Sequence, residues 1–199
     1  IEDEPVAGVD TWHDRGFRML DALLNWCAHN EIYLILDLHA APGGQGRDAN
    51  ISDYDPSKPS LWESEENRRK TIALWGRLAE RYADDDWIGG YDLINEPNWG
   101  FDDVGGNDNG CNEQTNSLLK ELTEAIIAEI RAVDDNHLIF VEGNCWGNRH
   151  QGMWPIADLN VALSFHRYWN SNDQNTIDPY LELAGTYVEP LWMGESGEN

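Results

Sequence analysis

Apolar positions along this chain fall into two alternating patterns, and their alternation predicts the fold. In residues 11 to 29, Phe17, Leu20, Leu23, Leu24 and Cys27 recur at helical spacing, with Asp10 placed to cap the start. Glu31 to Leu38 then runs almost continuously apolar, as a parallel strand covered on both faces does. Along it Tyr33, Ile35, Asp37 and His39 share one side, leaving Leu34, Leu36 and Leu38 on the other. A Gly-, Pro-, Asp- and Asn-rich loop follows to Ser60, and Ile72, Leu74, Trp75, Leu78 and Tyr82 mark a second helix over 63 to 82.

The next stretch, Tyr91-Asp92-Leu93-Ile94-Asn95-Glu96-Pro97, is an apolar run that stops on an amide, a carboxyl and a proline. Leu93 and Ile94 suit a buried strand, whereas Pro97 cannot donate to a ladder and disfavours helical geometry at Glu96. The Glu96 carboxyl is therefore expected where a strand becomes a loop. Taken alone, the same stop reads equally well as a turn capped by Asn95 and stiffened by Pro97. A second stretch, Leu191-Trp192-Met193-Gly194-Glu195-Ser196-Gly197, repeats the design and tips the balance toward a carboxyl pair.

Between the two, Leu118, Leu119, Leu122, Ile126, Ile127 and Ile130 mark a third helix. His137 to Glu142 reads as a strand ending at Gly143-Asn144-Cys145-Trp146, and Val161 to Phe165 as another that delivers Ser164, His166 and Tyr168 on alternate positions. Residues 189 to 195 form the last strand. Strands alternating with helices argue for a parallel α/β sheet, and five strand ends gathering polar residues favour a barrel over a doubly wound sheet, whose ligands collect at one switch point. A closed (β/α)8 TIM barrel has eight strands in about 250 residues. The 199 residues therefore read as one domain, 1–199, holding an incomplete barrel that covers strands three to seven.

Composition narrows the function. Acidic residues outnumber basic ones 37 to 13, for a net charge of -24. That argues against nucleic acid and against an anionic membrane surface, both of which need clustered Lys and Arg. No apolar run approaches the roughly 20 residues of a membrane helix, and no basic start followed by an apolar region marks a signal peptide; the chain opens on Ile1, so a leader is expected to be missing from it. Ten tryptophans exceed what a core of this size needs, and flat indoles stack on sugar rings, so an aromatic-lined carbohydrate cleft fits. Cys27, Cys111 and Cys145 cannot all pair and lack metal-site spacing; a Cys111–Cys145 disulfide and unpaired thiols both remain open.

Two strand-end glutamates fit hydrolysis of a glycosidic bond, in which one carboxyl protonates the leaving oxygen and a carboxylate acts from the other side of the anomeric carbon. Asn95-Glu96-Pro97, His39 in Leu36-Asp37-Leu38-His39, His166 and Tyr168 in Ser164-Phe165-His166-Arg167-Tyr168, and Glu195 in Met193-Gly194-Glu195 together resemble glycoside hydrolase family 5, over essentially the whole chain. The resemblance implies Glu96 as acid/base and Glu195 as nucleophile. It further implies Asn95 on the sugar 2-OH, Tyr168 orienting Glu195, and His39 and His166 touching sugar or carboxyls. The family's arginine near the second strand would precede Ile1, and its tryptophan after the eighth would follow Asn199.

The expected activity is endo-acting, retaining hydrolysis of β-1,4-glucan by a secreted or periplasmic monomer, with no cofactor and no metal. Trp99, Trp146 and Trp169 follow strand ends and are candidate stacking platforms, with plain packing the equal alternative. Glu142 and Glu198 are rival carboxylates. A β-1,3-glucanase, mannanase or xyloglucanase is the alternative within the family, and Leu38-His39-Ala40-Ala41-Pro42-Gly43 resembles members acting on β-1,3-glucans. A non-catalytic carbohydrate-binding barrel is the alternative outside it.

Overall fold

The computed structural model describes residues 9–101 and 108–197. Its elements run α1 (Asp14–His29), β1 (Leu34–Asp37), α2 (Glu65–Tyr82), β2 (Ile88–Asp92), α3 (Ser117–Arg131), β3 (Ile139–Glu142), the single turn α4 (Asn144–Gly147), β4 (Val161–Arg167), α5 (Asp178–Tyr187) and β5 (Leu191–Ser196). All five strands are parallel and pair in chain order. Pairing in chain order leaves no switch point, so the sheet curls into half of a (β/α)8 barrel and every strand delivers its C-terminal end to one rim.

The core lies between the convex face of the sheet and the helices. Trp75 and Leu78 of α2 and Leu119, Leu122, Ile126 and Ile130 of α3 pack with Leu36, Tyr91, Ile139 and Leu163 of the strands, all buried. Each such aliphatic side chain contributes roughly 1.5–3 kcal/mol by leaving water. Trp75 also donates its indole N–H to the Leu93 carbonyl at 2.9 Å, which meets its one polar group and ties α2 to the segment carrying Asn95 and Glu96. β3 and β4 are buried almost throughout, while β1 and β5, at the two margins of the sheet, are largely not. On the concave side Tyr33, Ile35, Phe140 and Trp192 line an open cavity of about 710 Å³.

Three local expectations are corrected. Asp10 does not cap α1: His13 holds the N-cap position, and Asp10 instead takes Arg69 through both guanidinium Nη atoms at 2.9 and 3.2 Å. α2 does carry a side-chain cap, with Ser64 Oγ accepting the Asn67 N–H at 3.2 Å and Glu65 and Glu66 favourably placed in the first turn. α5, which the apolar pattern did not mark, is short and buries only Tyr180 and Ala184. Glu96 is not in the extended region expected before Pro97 but left-handed, at φ 48°.

Candidate active site

The site begins with that left-handed residue. Such a backbone costs a β-carbon residue roughly 1–2 kcal/mol, so neighbours must hold it. The Glu96 N–H donates to Glu142 Oε2 at 2.9 Å, and its carbonyl accepts from Asn98 Nδ2 at 3.0 Å. Beside it, the Asn95 N–H donates to the Leu38 carbonyl at 3.1 Å, continuing the β1–β2 pairing to the rim. Asn95 is 1% exposed and its Nδ2 has no partner, so a buried donor is left available at the site.

The loop after β1 is pinned by Gln45, which is fully buried. Its Oε1 accepts the Ala41 N–H at 3.1 Å, and its Nε2 donates to the carbonyls of His39 at 3.0 Å and Asn95 at 2.9 Å. One amide thus joins the ends of β1 and β2. Asn144 does the same across the next gap, accepting the Trp99 N–H at 3.0 Å and donating to the Trp99 carbonyl at 2.8 Å. The segments carrying Cys111 and Cys145 are joined by a disulfide, which settles the pairing that the sequence left open. Cys27 is free.

The second carboxyl arrives from β5. A register irregularity puts His166 of β4 opposite Glu195, with Gly194 as the extra residue. A Cβ at Gly194 would lie 2.9 Å from His166 Nε2 and 3.1 Å from Ser164 Oγ, so only glycine lets β5 approach this closely. Tyr168 donates its hydroxyl to Glu195 Oε2 at 2.9 Å. His166 Nδ1 bonds Glu96 Oε1 at 2.8 Å and lies 3.9 Å from Glu195 Oε2. Single donor atoms of Glu96, His166 and Glu195 all fall within 4.8 Å of one another.

That trio sets the His166 ring between two carboxyls. Burial alone would lower the His166 pKa, yet contacts with Glu142 and Glu96 and the charges of Glu142 and Glu195 outweigh it and hold the pKa at about 10. The ring is therefore protonated at neutral pH and stands as a cation between the two carboxyls. Burial pushes Asp92 well above the usual carboxylate range, and the negative Glu142 and Asp37 add to the effect; burial also raises Glu142, where the nearby His166 opposes it. The Tyr168 hydroxyl is raised by its bond to Glu195.

Of the residues expected at the site, Glu96, Glu195, Asn95, His166 and Tyr168 come together. His39 is on the rim with its side chain 60% exposed, and its ring bonds Asp37 Oδ2 at 3.0 Å instead of either glutamate. Trp99 is corrected from platform to packing: it is 6% exposed, between the Tyr54 ring and the Arg47 guanidinium. Trp146 is half-buried, its backbone N–H donating to the Pro97 carbonyl at 3.0 Å, while Trp169 is 79% exposed. Glu198 lies outside the described residues. Gln45 and Asp92 were missed; both face inward from places where polar residues have no local signature, although Asp92 shares the buried run that ends on Glu96.

Fold and site together define a (β/α)8-barrel protein with a paired-carboxyl centre at its C-terminal rim. The sequence model of one family, Cellulase (glycosyl hydrolase family 5), matches residues 4–197. A β-xylosidase of Phanerodontia chrysosporium is 33% identical over 83% of this chain, and a probable glucan 1,3-β-glucosidase A of Emericella nidulans is 29% identical over 98%. The chain spans 32% and 46% of the length of those two relatives. The crystal structure of endoglucanase Cel5A from Thermotoga maritima superposes with a TM-score of 0.69 at 19% identity, covering 93% of this chain and 60% of that one. This chain belongs to glycoside hydrolase family 5.

Proposed function

We propose that this half-barrel carries the catalytic pair of a retaining β-glycosidase whose substrate is a β-1,4-glucan, cut internally. The observation that carries the reading is the pairing of Glu96 and Glu195 at one rim, an oxygen of each lying within 4.8 Å of the other. Two carboxyls brought this close are what a covalent, retaining displacement asks for. Glu195, steadied by the Tyr168 hydroxyl, attacks the anomeric carbon and forms a glycosyl ester while Glu96 gives its proton to the departing oxygen. Glu96 then takes a proton from water, whose oxygen attacks the anomeric carbon and releases Glu195 with two inversions, hence retention. The unpartnered Asn95 Nδ2 beside Glu96 suits a sugar hydroxyl, and exposed Trp169 and half-buried Trp146 suit stacking of flanking rings.

The family's description as cellulase supports the β-1,4 choice. A second reading, a β-1,3-glucoside, is favoured by Leu38-His39-Ala40-Ala41-Pro42-Gly43 and by the glucan 1,3-β-glucosidase relative. The Cys111–Cys145 disulfide supports a secreted or periplasmic location, since such bonds persist in oxidising compartments. The test is sugar release from carboxymethyl cellulose and from a β-1,3-glucan by a form with the barrel closed, beside its Glu195→Gln variant. Release from the first alone supports the β-1,4 reading, and release from the second alone replaces it. Activity surviving in the variant removes Glu195 from the mechanism.

A further inference from the structure

Glu142, at the end of β3, is 4% exposed and divides its two oxygens between two parts of the centre. Oε2 accepts the Glu96 backbone N–H at 2.9 Å, and Oε1 lies 3.3 Å from His166 Nε2. The opposite ring nitrogen, Nδ1, is the one bonded to Glu96 Oε1 at 2.8 Å. The Nε2–Oε1 contact is an ion-pair distance without a hydrogen bond, so Oε1 is a buried acceptor with no partner, and a hydrogen on Nε2 sets a positive ring edge against it while Nδ1 serves Glu96. Gly147 leaves room for this arrangement: a Cβ there would lie 2.7 Å from Glu142 Oε2, and its φ is 76°.

We propose that Glu142 is a positioning residue of the carboxyl centre, one oxygen fixing the left-handed Glu96 backbone and the other keeping His166 a doubly protonated ring that presents Nδ1–H to the Glu96 carboxyl. The assignment rests on Glu96 being the acid/base. Glu142 works through its two neighbours and is closed off from substrate by burial. Its consequence for catalysis is that a cation stands against Glu96 once its proton has gone to the leaving oxygen, with one carboxyl oxygen held and the other free to face the sugar.

The charged groups around His166 come from every strand of the half-barrel. Glu142 faces it from β3, Glu96 from the segment after β2, and Glu195 from β5 at 3.9 Å, while Asp37 on β1 and Asp92 on β2 also act on it electrostatically. Of these, Glu142, Glu96 and Glu195 favour the charged ring against the effect of burial, while the buried Asp92 is itself pushed toward its neutral form. Glu142→Gln is the informative change. A glutamine keeps the acceptor for the Glu96 N–H but turns an N–H₂ donor toward His166 Nε2, which must then accept, leaving a neutral ring with the same geometry.

The experiment is ring-nitrogen NMR of His166 in this chain across pH, beside kinetics on a β-glucan in the barrel-closed form. The parent is expected to hold protons on both ring nitrogens at pH 8, and Glu142→Gln to move the midpoint down by roughly one pH unit or more. Glu142→Asp, which keeps the charge, restores the doubly protonated ring. In Glu142→Gln, kcat falls by about tenfold or more while KM stays within about threefold. A neutral His166 in the parent at pH 8 overturns the proposal without any variant having to fold, as does an unmoved midpoint in folded Glu142→Gln. A moved midpoint in a protein that cleaves no β-glycan would leave the proton assignment standing and retire the glycosidase reading. An active parent with an unmoved midpoint does the reverse.

Discussion

Replacing Gln45 tests whether one buried amide holds the rim of the barrel together. Gln45→Ala removes the acceptor of the Ala41 N–H and the donor shared by the His39 and Asn95 carbonyls, three contacts of 2.9–3.1 Å, with a longer one to the Ile51 carbonyl at 3.4 Å, all from a fully buried side chain. At about 1 kcal/mol net for each bond, the loss is about 3 kcal/mol, and backbone groups left unmet push it toward about 5 unless water refills the space. With a urea slope near about 2 kcal/mol per molar, the midpoint should fall by roughly 1.5 M with the slope unchanged. Amide hydrogen exchange supplies the local check, because the Ala41 N–H loses its acceptor and with it its protection. Gln45→Glu sharpens the test: the carboxylate still accepts from Ala41 but faces three carbonyl oxygens, so it destabilises at pH 7 and recovers as acid returns a donor hydrogen. A loss under about 1 kcal/mol in Gln45→Ala, with Ala41 still protected, would refute the clamp.

Three further outcomes follow from the geometry. Asp92 has a folded-state pKa raised by burial, so the native state binds its proton more tightly than the unfolded chain and loses stability as pH rises through that value; Asp92→Asn should raise the unfolding midpoint at pH 7, a gain that fades toward pH 4 in a pH series. Tyr168→Phe removes the donor to Glu195 Oε2 and should cut kcat by about tenfold with KM little changed, the hydroxyl being partly solvated and its bond discounted accordingly; equal kcat in the two proteins would remove Tyr168 from the mechanism. Reducing the Cys111–Cys145 bond, which closes a loop of sequence separation 34, should lower stability by about 3–4 kcal/mol, read as a reductant-dependent shift in melting that Cys145→Ser abolishes.

Much of this was legible in the order of the residues. Four of the five strands were marked by an apolar run, and α1, α2 and α3 by helical stripes, because these patterns record which faces must leave water; the run Leu93-Ile94 instead lies just past β2, whose Gly89 and Gly90 leave no such mark. Glu96 and Glu195 stood out because each is a carboxyl that interrupts such a run near a strand end, where a barrel gathers its chemistry. α5 escaped because a helix burying two residues leaves almost no stripe. Trp99 misled for a related reason: its position after a strand end says nothing of whether a loop will fold over it, and here Tyr54 and Arg47 do.

What the chain determined by itself was therefore the alternation of strands and helices, the parallel barrel they make, and the two carboxyls delivered to its rim, since all of these depend on local periodicity and on where it breaks. Only the tertiary structure decided what surrounds those carboxyls. Glu142 meets Glu96 across 46 positions of sequence, and His166 meets it across 70. Gln45 reaches Asn95 across 50, and the disulfide spans 34. Such contacts carry no periodic trace, because they are made by strand ends that become neighbours only when the sheet curls. The charge on His166 is likewise a sum over carboxylates contributed by different strands, and it exists only once they are assembled.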